Sequence, residues 1–261
     1  MDAVLKTIKM KNILLLMILL CSCKEHRSRK EISNISLDSI PTTKAEVEKP
    51  TYNFDKDFIL GKFDYKKDTS FAKVSKTHAS KPLYLKKVAY SAFIKMYNSA
   101  KSQGVQLKIV SGTRNFYQQK AIWERKWEKY KNLPPITRAL KILKFSSMPS
   151  TSRHHWGTDI DLNNLENSYF ETRQGKKIYD WLTKNANQYG FYQVYTSKEN
   201  GRTGYSMEKW HWSYLPLSKT YLKYYNDSIS ATDIEGFKGA YLADKLNIIK
   251  DYVNGVKSKQ K

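Results

Sequence analysis

Cysteine is almost missing from this chain: 261 residues contain only Cys21 and Cys23, both close to the N-terminus. The rest of the sequence therefore offers no thiolate for a metal and no pair for a disulfide. Histidine is scarce too, with five copies at positions 26, 78, 154, 155 and 211. Acidic residues number 24 against 46 basic ones, a formal charge of +22. Long apolar runs are lacking: Ile13–Leu20 falls short of the ~20 residues a spanning helix needs. No internal repeat is evident.

The N-terminus reads as an address rather than as fold. Lys6, Lys9 and Lys11 precede the apolar run, as in an export signal, and Leu20-Cys21-Ser22-Cys23 resembles a bacterial lipobox. Cys23 is the expected lipid acceptor, because Ser22 suits the position before cleavage and Leu20 would not suit the one before Cys21. The alternatives are an ordinary secretory signal and an uncleaved anchor. The expected organisation is a signal segment over 1–22, a polar flexible tether over 23–50 that contains His26, and one domain over 51–261. The expected location is the bacterial cell envelope, as a membrane-anchored lipoprotein facing the periplasm or exterior. Abundant lysine and 19 tyrosines would suit nucleic acid, but export separates the chain from it. Anionic lipids, lipopolysaccharide or wall polymers are the expected counter-ions, and much of the charge can be plain solvated surface.

Apolar spacing predicts a helix over Leu85–Ser102 ended by Gly104, then a half-buried strand over Val105–Ser111. Asn115 and Gln118 form a capping-box pattern opening a helix to about Tyr130, and Pro134-Pro135 stops any continuation. Trp123 and Trp127 on that helix read as core rather than as a substrate platform. Gly157–Leu162 reads as a strand with Asp159 and Asp161 on one side, Gln174–Asn187 as a helix, and Phe191–Tyr195 as a strand. Thr196–Gly204 reads as a hairpin or loop, and a helical C-terminal extension begins at about 215, with a helix over Gly236–Val253. Mixed elements without regular βαβ alternation imply an α+β fold with a small antiparallel sheet and flanking helices.

Two distant stretches carry chemistry: Ser152-Arg-His-His-Trp-Gly-Thr-Asp-Ile-Asp161 and Glu208-Lys-Trp-His-Trp212. A hydrolytic zinc site needs three protein ligands, an open position for water, and a base for the water's proton. His154, Asp161 and His211 can be the ligands and Glu208 the base. His78, in a Lys-rich run, reads as a solvated loop residue. Trp210 and Trp212 flank His211 and are expected to pack on opposite sides of its strand.

The order and spacing of these motifs, together with Ser111-Gly-Thr-Arg114 and Gln119, resemble the LAS-type zinc peptidases, and most of all the VanY-type D-alanyl-D-alanine carboxypeptidases. The resemblance covers roughly Thr51 to Tyr214. It implies the LAS/hedgehog-like domain, a Zn2+ cofactor on His154, Asp161 and His211, and Glu208 as catalytic base. It also implies that Arg114 binds substrate and stabilises the oxyanion, while Ser152 and Gln119 hold the substrate's terminal region. The expected activity is removal of terminal D-alanine from peptidoglycan stem peptides. A D,D-dipeptidase, a wall endopeptidase and a non-catalytic wall-binding module are the alternatives. Nucleic acid is not an expected partner. Asp159 departs from the family's usual small residue, and it could orient a ligand, replace Asp161 as ligand, or read a cationic substrate group. His155 beside His154 leaves a similar choice open.

Overall fold

The capping box forms. Asn115 accepts the amide of Gln118, and the Gln118 side chain accepts the amide of Asn115, opening α3 at Phe116–Lys129. The computed structural model describes residues 52–199 and 201–257. The signal segment, the tether, Cys21, Cys23 and His26 lie outside the described residues.

In chain order the elements are α1 (Lys56–Leu60), β1 (Phe71–Lys73), β2 (Tyr84–Lys86), α2 (Lys87–Ser102), β3 (Ile109–Ser111), α3, α4 (Pro135–Ile142), β4 (Asp159–Leu162), α5 (Arg173–Asn185), β5 (Phe191–Gln193), β6 (His211–Tyr214) and α6 (Leu215–Ser228). Strands β1 and β2 form a small hairpin sheet, and the other four form an antiparallel sheet in the order β3-β4-β6-β5. The fold is α+β with a small antiparallel sheet flanked by helices. One face of the larger sheet, carrying Ile160, Leu162 and Trp212, packs against Phe93 and Met96 of α2 and Ile178 and Leu182 of α5. A second core gathers α1, α3, α4, α6 and the C-terminal segment around Trp123, Trp127, Ile142, Tyr221 and Val253. Trp123 and Trp127 stack with ring centroids 6.1 Å apart and are core residues.

Several expectations are corrected. The strand read over Val105–Ser111 pairs only from Ile109 onward. Ahead of it, the side chain of Asn163 takes the ladder's place, donating to Gln106 O and accepting from Lys108 N. The strand read to Tyr195 ends at Gln193, whose side-chain amide donates to the carbonyls of Tyr195 and Glu208. Pro134-Pro135 opens a further helix beyond the end of α3 at Lys129, because Pro135 at the first helical position of α4 loses no bond for its missing N–H. The helix read over Gly236–Val253 is instead two short turns, Ala240–Leu242 and Ile248–Val253. Gly239 sits at φ +83 with the Trp127 ring 2.6 Å from where a Cβ would be, so the segment is laid closely onto α3. Trp123 Nε1 donates to Lys238 O on the same stretch. Trp210 and Trp212 join one cluster rather than opposite sides, as residues two apart on a strand must. His78 is half-buried, hydrogen-bonded to the Tyr90 hydroxyl and edge-on to Tyr97.

Candidate metal centre

Strand register assembles the site. Asp161 on β4 lies opposite His211 on β6 on one side and opposite Ser111 on β3 on the other. Because alternate residues share a sheet face, the neighbours Ile160, Trp210 and Trp212 go into the core while Asp161 and His211 stay on the other face. His154 arrives from a 3-10 turn, Arg153–Trp156, which ends at Gly157. Gly157 has φ +71, and the ring of Phe71 lies 2.3 Å from where a Cβ would be, so only glycine fits this step of the motif.

His154, Asp161 and His211 are all buried, and each offers a ligand atom within 4.8 Å of the others. His154 Nδ1 donates to Gly112 O at 2.9 Å, which leaves the Nε2 lone pair facing Asp161 Oδ2 at 3.4 Å. His211 presents Nδ1 to Asp161 Oδ1 at 3.1 Å. Tetrahedral zinc with bonds of about 2.0–2.1 Å spaces its ligands about 3.3 Å apart, so these two separations already match the metal. Two imidazoles and a carboxylate, with no thiolate, are a hydrolytic zinc donor set.

Glu208 is not one of the three donors, although its Oε2 lies 3.6 Å from His211 Nδ1. Burial pushes its carboxyl up to about 8, with the His211 cation opposing. Burial alone would also raise the Asp161 carboxyl, but His154 and His211 outweigh it and hold the group well below the usual carboxylate range. For His211 burial works downward, and hydrogen bonds to Asp159 and Asp161 outweigh it, raising the ring to about 9. A ring raised in this way favours the imidazolium in the metal-free protein, so metal binding at Nδ1 competes with a proton. Zinc affinity is expected to rise about tenfold per pH unit between pH ~7 and ~9. Chelator competition at several pH values measures this, and a pH-independent affinity would contradict it.

Arg114 follows β3 and is held on two sides. Its Nη1 donates to Ser111 Oγ at 2.5 Å and its Nε to Gln119 Oε1 at 3.1 Å, with Nη1 3.9 Å from Asp161 Oδ2. Gln119 is almost fully buried and donates its amide N–H to Ser147 O, so it stands behind Arg114 as a brace. The Ser152 hydroxyl is buried without a hydrogen-bond partner. Arg114, Gln119, Ser152 and Glu208 border one cleft of about 750 Å³ together with the three donors. His155 turns away: its Nδ1 contacts Arg114 O and its ring presses on Gly61, while burial lowers its pKa to about 3. It takes no part in the cluster. Sequence reasoning passed over Tyr195, whose ring lies 4.6 Å from that of His211, and Arg153, which is buried against Asp159. Arg153 sat in view inside the motif, but arginine is a residue type mostly found exposed unless it is paired.

The Bacillus subtilis (strain 168) protein YodJ is 29% identical over 138 residues, covering 51% of this chain and 46% of its own. A D-alanyl-D-alanine carboxypeptidase of Enterococcus faecalis is 28% identical over 124 residues, covering 47% of this chain and 45% of its own. The chain therefore spans less than half the length of these curated relatives. The solved LdcB LD-carboxypeptidase aligns with a TM-score of 0.49 at 21% identity, over 76% of this chain and 81% of that one. The family model described as VanY, D-alanyl-D-alanine carboxypeptidase, matches residues 82–217, just over half of the chain and all of the cluster. The chain belongs to the VanY family.

Proposed function

We propose that this protein is a zinc-dependent peptidase of the bacterial cell envelope that hydrolyses the terminal D-Ala-D-Ala amide of peptidoglycan stem peptides. One observation carries the reading: a buried carboxyl that is not a donor, Glu208, stands 3.6 Å from a ligand nitrogen of a His/Asp/His cluster bordering a cleft. Family membership and the name of the Enterococcus relative support the choice of amide.

His154 Nε2, Asp161 and His211 Nδ1 would hold the metal. Zinc supplies a Lewis acid that lowers the pKa of water from ~15.7 to about 7 and polarises a scissile carbonyl. Glu208, 3.6 Å from the His211 ligand nitrogen, takes the proton of the attacking water. It then returns that proton to the departing amine. Arg114, braced by Ser111 and Gln119, offers its charge to the developing oxyanion. Ser152, with an unpaired buried hydroxyl in the cleft, offers a donor to the substrate's terminal region. Gln119 serves the substrate through Arg114.

The N-terminal export pattern supports an envelope location, with Cys23 as the lipid-bearing residue that tethers the chain. Among the described residues, no helix is long and apolar enough to cross a membrane. Cys23→Ser is expected to move the protein from the membrane fraction to the soluble one, and unchanged fractionation would remove Cys23 as the anchor.

Mass spectrometry of stem pentapeptides and cross-linked stems incubated with the zinc-loaded protein tests the substrate. Loss of one alanine supports the carboxypeptidase. Loss of a dipeptide, or opening of cross-links, keeps the chemistry and replaces the specificity with that of a D,D-dipeptidase or endopeptidase. No product on any stem, despite bound zinc, would favour a non-catalytic wall-binding module.

A further inference from the structure

His211 has a carboxylate at each ring nitrogen, and only one of them belongs to the metal cluster. Nδ1 faces Asp161 at 3.1 Å, while Nε2 lies 3.0 Å from Asp159 Oδ1. Asp159 and Asp161 sit two apart on β4, so they share a face and bracket the ring. Asp159 is itself fully buried and fixed from three directions. Arg153 Nε donates to Oδ1 at 3.0 Å, Thr158 Oγ1 donates to Oδ2 at 2.6 Å, and the backbone pairs across the sheet with Ser213. The same arginine donates from Nη2 to Ser213 Oγ at 2.7 Å and lies over the Trp156 ring at 4.8 Å. Ser213 Oγ donates in turn to Ser218 Oγ on α6. A buried ion pair of this kind is a poor source of stability, so its placement against a ligand ring calls for another reason.

We propose that Arg153 and Asp159 are positioning residues for the metal centre. Asp159 accepts the Nε2–H of His211, which fixes the ring plane and the tautomer and leaves the Nδ1 lone pair aimed at the site shared with His154 and Asp161. Arg153 holds Asp159 in place and ties it to β6 through Ser213. A ring without this acceptor can rotate about its Cβ–Cγ bond or carry its proton on Nδ1, and either change removes a donor. Groups that hydrogen-bond a metal-ligating histidine commonly contribute tenfold to a hundredfold to metal affinity. The positions are also legible as sequence: Arg153-His154 and Asp159-x-Asp161 place each member of the ion pair one or two residues from a donor.

This inference rests on the metal reading of His154, Asp161 and His211, and the experiment separates the two. Zinc dissociation constants are measured by chelator competition for the parent, His154→Ala, Asp159→Asn, Arg153→Lys and the surface control Asp180→Asn. Thermal melts of each metal-free protein run alongside, and nitrogen shifts of His211 are read in the zinc-loaded state. The expected result is a loss of about tenfold to a hundredfold in zinc affinity for Asp159→Asn, a smaller loss for Arg153→Lys, and none for Asp180→Asn. The His211 shifts in the parent should show a protonated Nε2 and a metal-bound Nδ1, with this pattern weakened in Asp159→Asn. Zinc affinity and shifts in a folded Asp159→Asn protein that match the parent, even with a lowered melting temperature, would overturn the positioning role and leave a structural ion pair. A parent that binds no zinc, or one whose binding survives His154→Ala, would overturn the metal reading itself. Asp159→Asn is nearly isosteric; should it fail to fold, Arg153→Lys decides, and unchanged affinity and shifts there would overturn the proposal.

Discussion

Replacing Glu208 by glutamine is expected to leave one zinc per chain and to lower kcat by about a hundredfold to ten-thousandfold, the range associated with a positioned general base. Glutamine keeps the size and the hydrogen-bonding edge of the side chain but cannot take a proton from water. Zinc should be retained because Glu208 is not one of the three clustered donors, and the backbone around it is held independently. Its amide N donates to Tyr195 O, and its carbonyl accepts from Gln193 Nε2. Burial pushes the Glu208 carboxyl up to about 8, so a neutral side chain of the same shape removes little charge from this site at neutral pH. The variant should therefore be no less stable than the parent. Metal analysis with single-turnover kinetics measures both halves, and loss of zinc together with activity would recast Glu208 as a ligand.

Arg114→Ala carries the second large effect. Removing a preorganised donor for a developing oxyanion typically costs about a hundredfold to a thousandfold in kcat, and the loss should fall on kcat more than on KM. Arg114→Lys should recover little. The guanidinium uses Nη1 toward Ser111 and Nε toward Gln119 to fix its plane, and an ammonium cannot reproduce that two-sided grip. Gln119→Ala should cost less than Arg114→Ala, since it removes only one brace. An Arg114→Ala enzyme with parental kcat and a raised KM would assign the residue to ground-state binding alone.

The donors were legible in the sequence because the chain has so few alternatives. Cysteine is confined to the N-terminus and three of the five histidines fall inside the two motifs, while Asp161 and Glu208 stood out through the spacing they share with VanY-type carboxypeptidases. The alternation in Gly157–Leu162 correctly placed Asp159 and Asp161 on one side, and the capping box of Asn115 and Gln118 fixed the start of α3. Contacts set by tertiary packing were not legible. Nothing local announces that Asn163 would replace a strand's ladder, or that Gly236 and Gly239 would take positive φ so that the C-terminal segment lies on Trp127 instead of coiling. The contact of Asp159 with the far edge of His211 depends on the register Asp159↔Ser213 and Asp161↔His211. Alternation within one strand cannot supply that register.

The most direct measurement is release of D-alanine from a stem pentapeptide by the metal-stripped protein as zinc is added back, with Glu208→Gln alongside. Turnover that rises with zinc and saturates at one zinc per chain, and that is lost in Glu208→Gln at equal zinc content, is the predicted result. Equal turnover without metal, or none at one bound zinc per chain, would contradict a zinc peptidase built on His154, Asp161, His211 and Glu208.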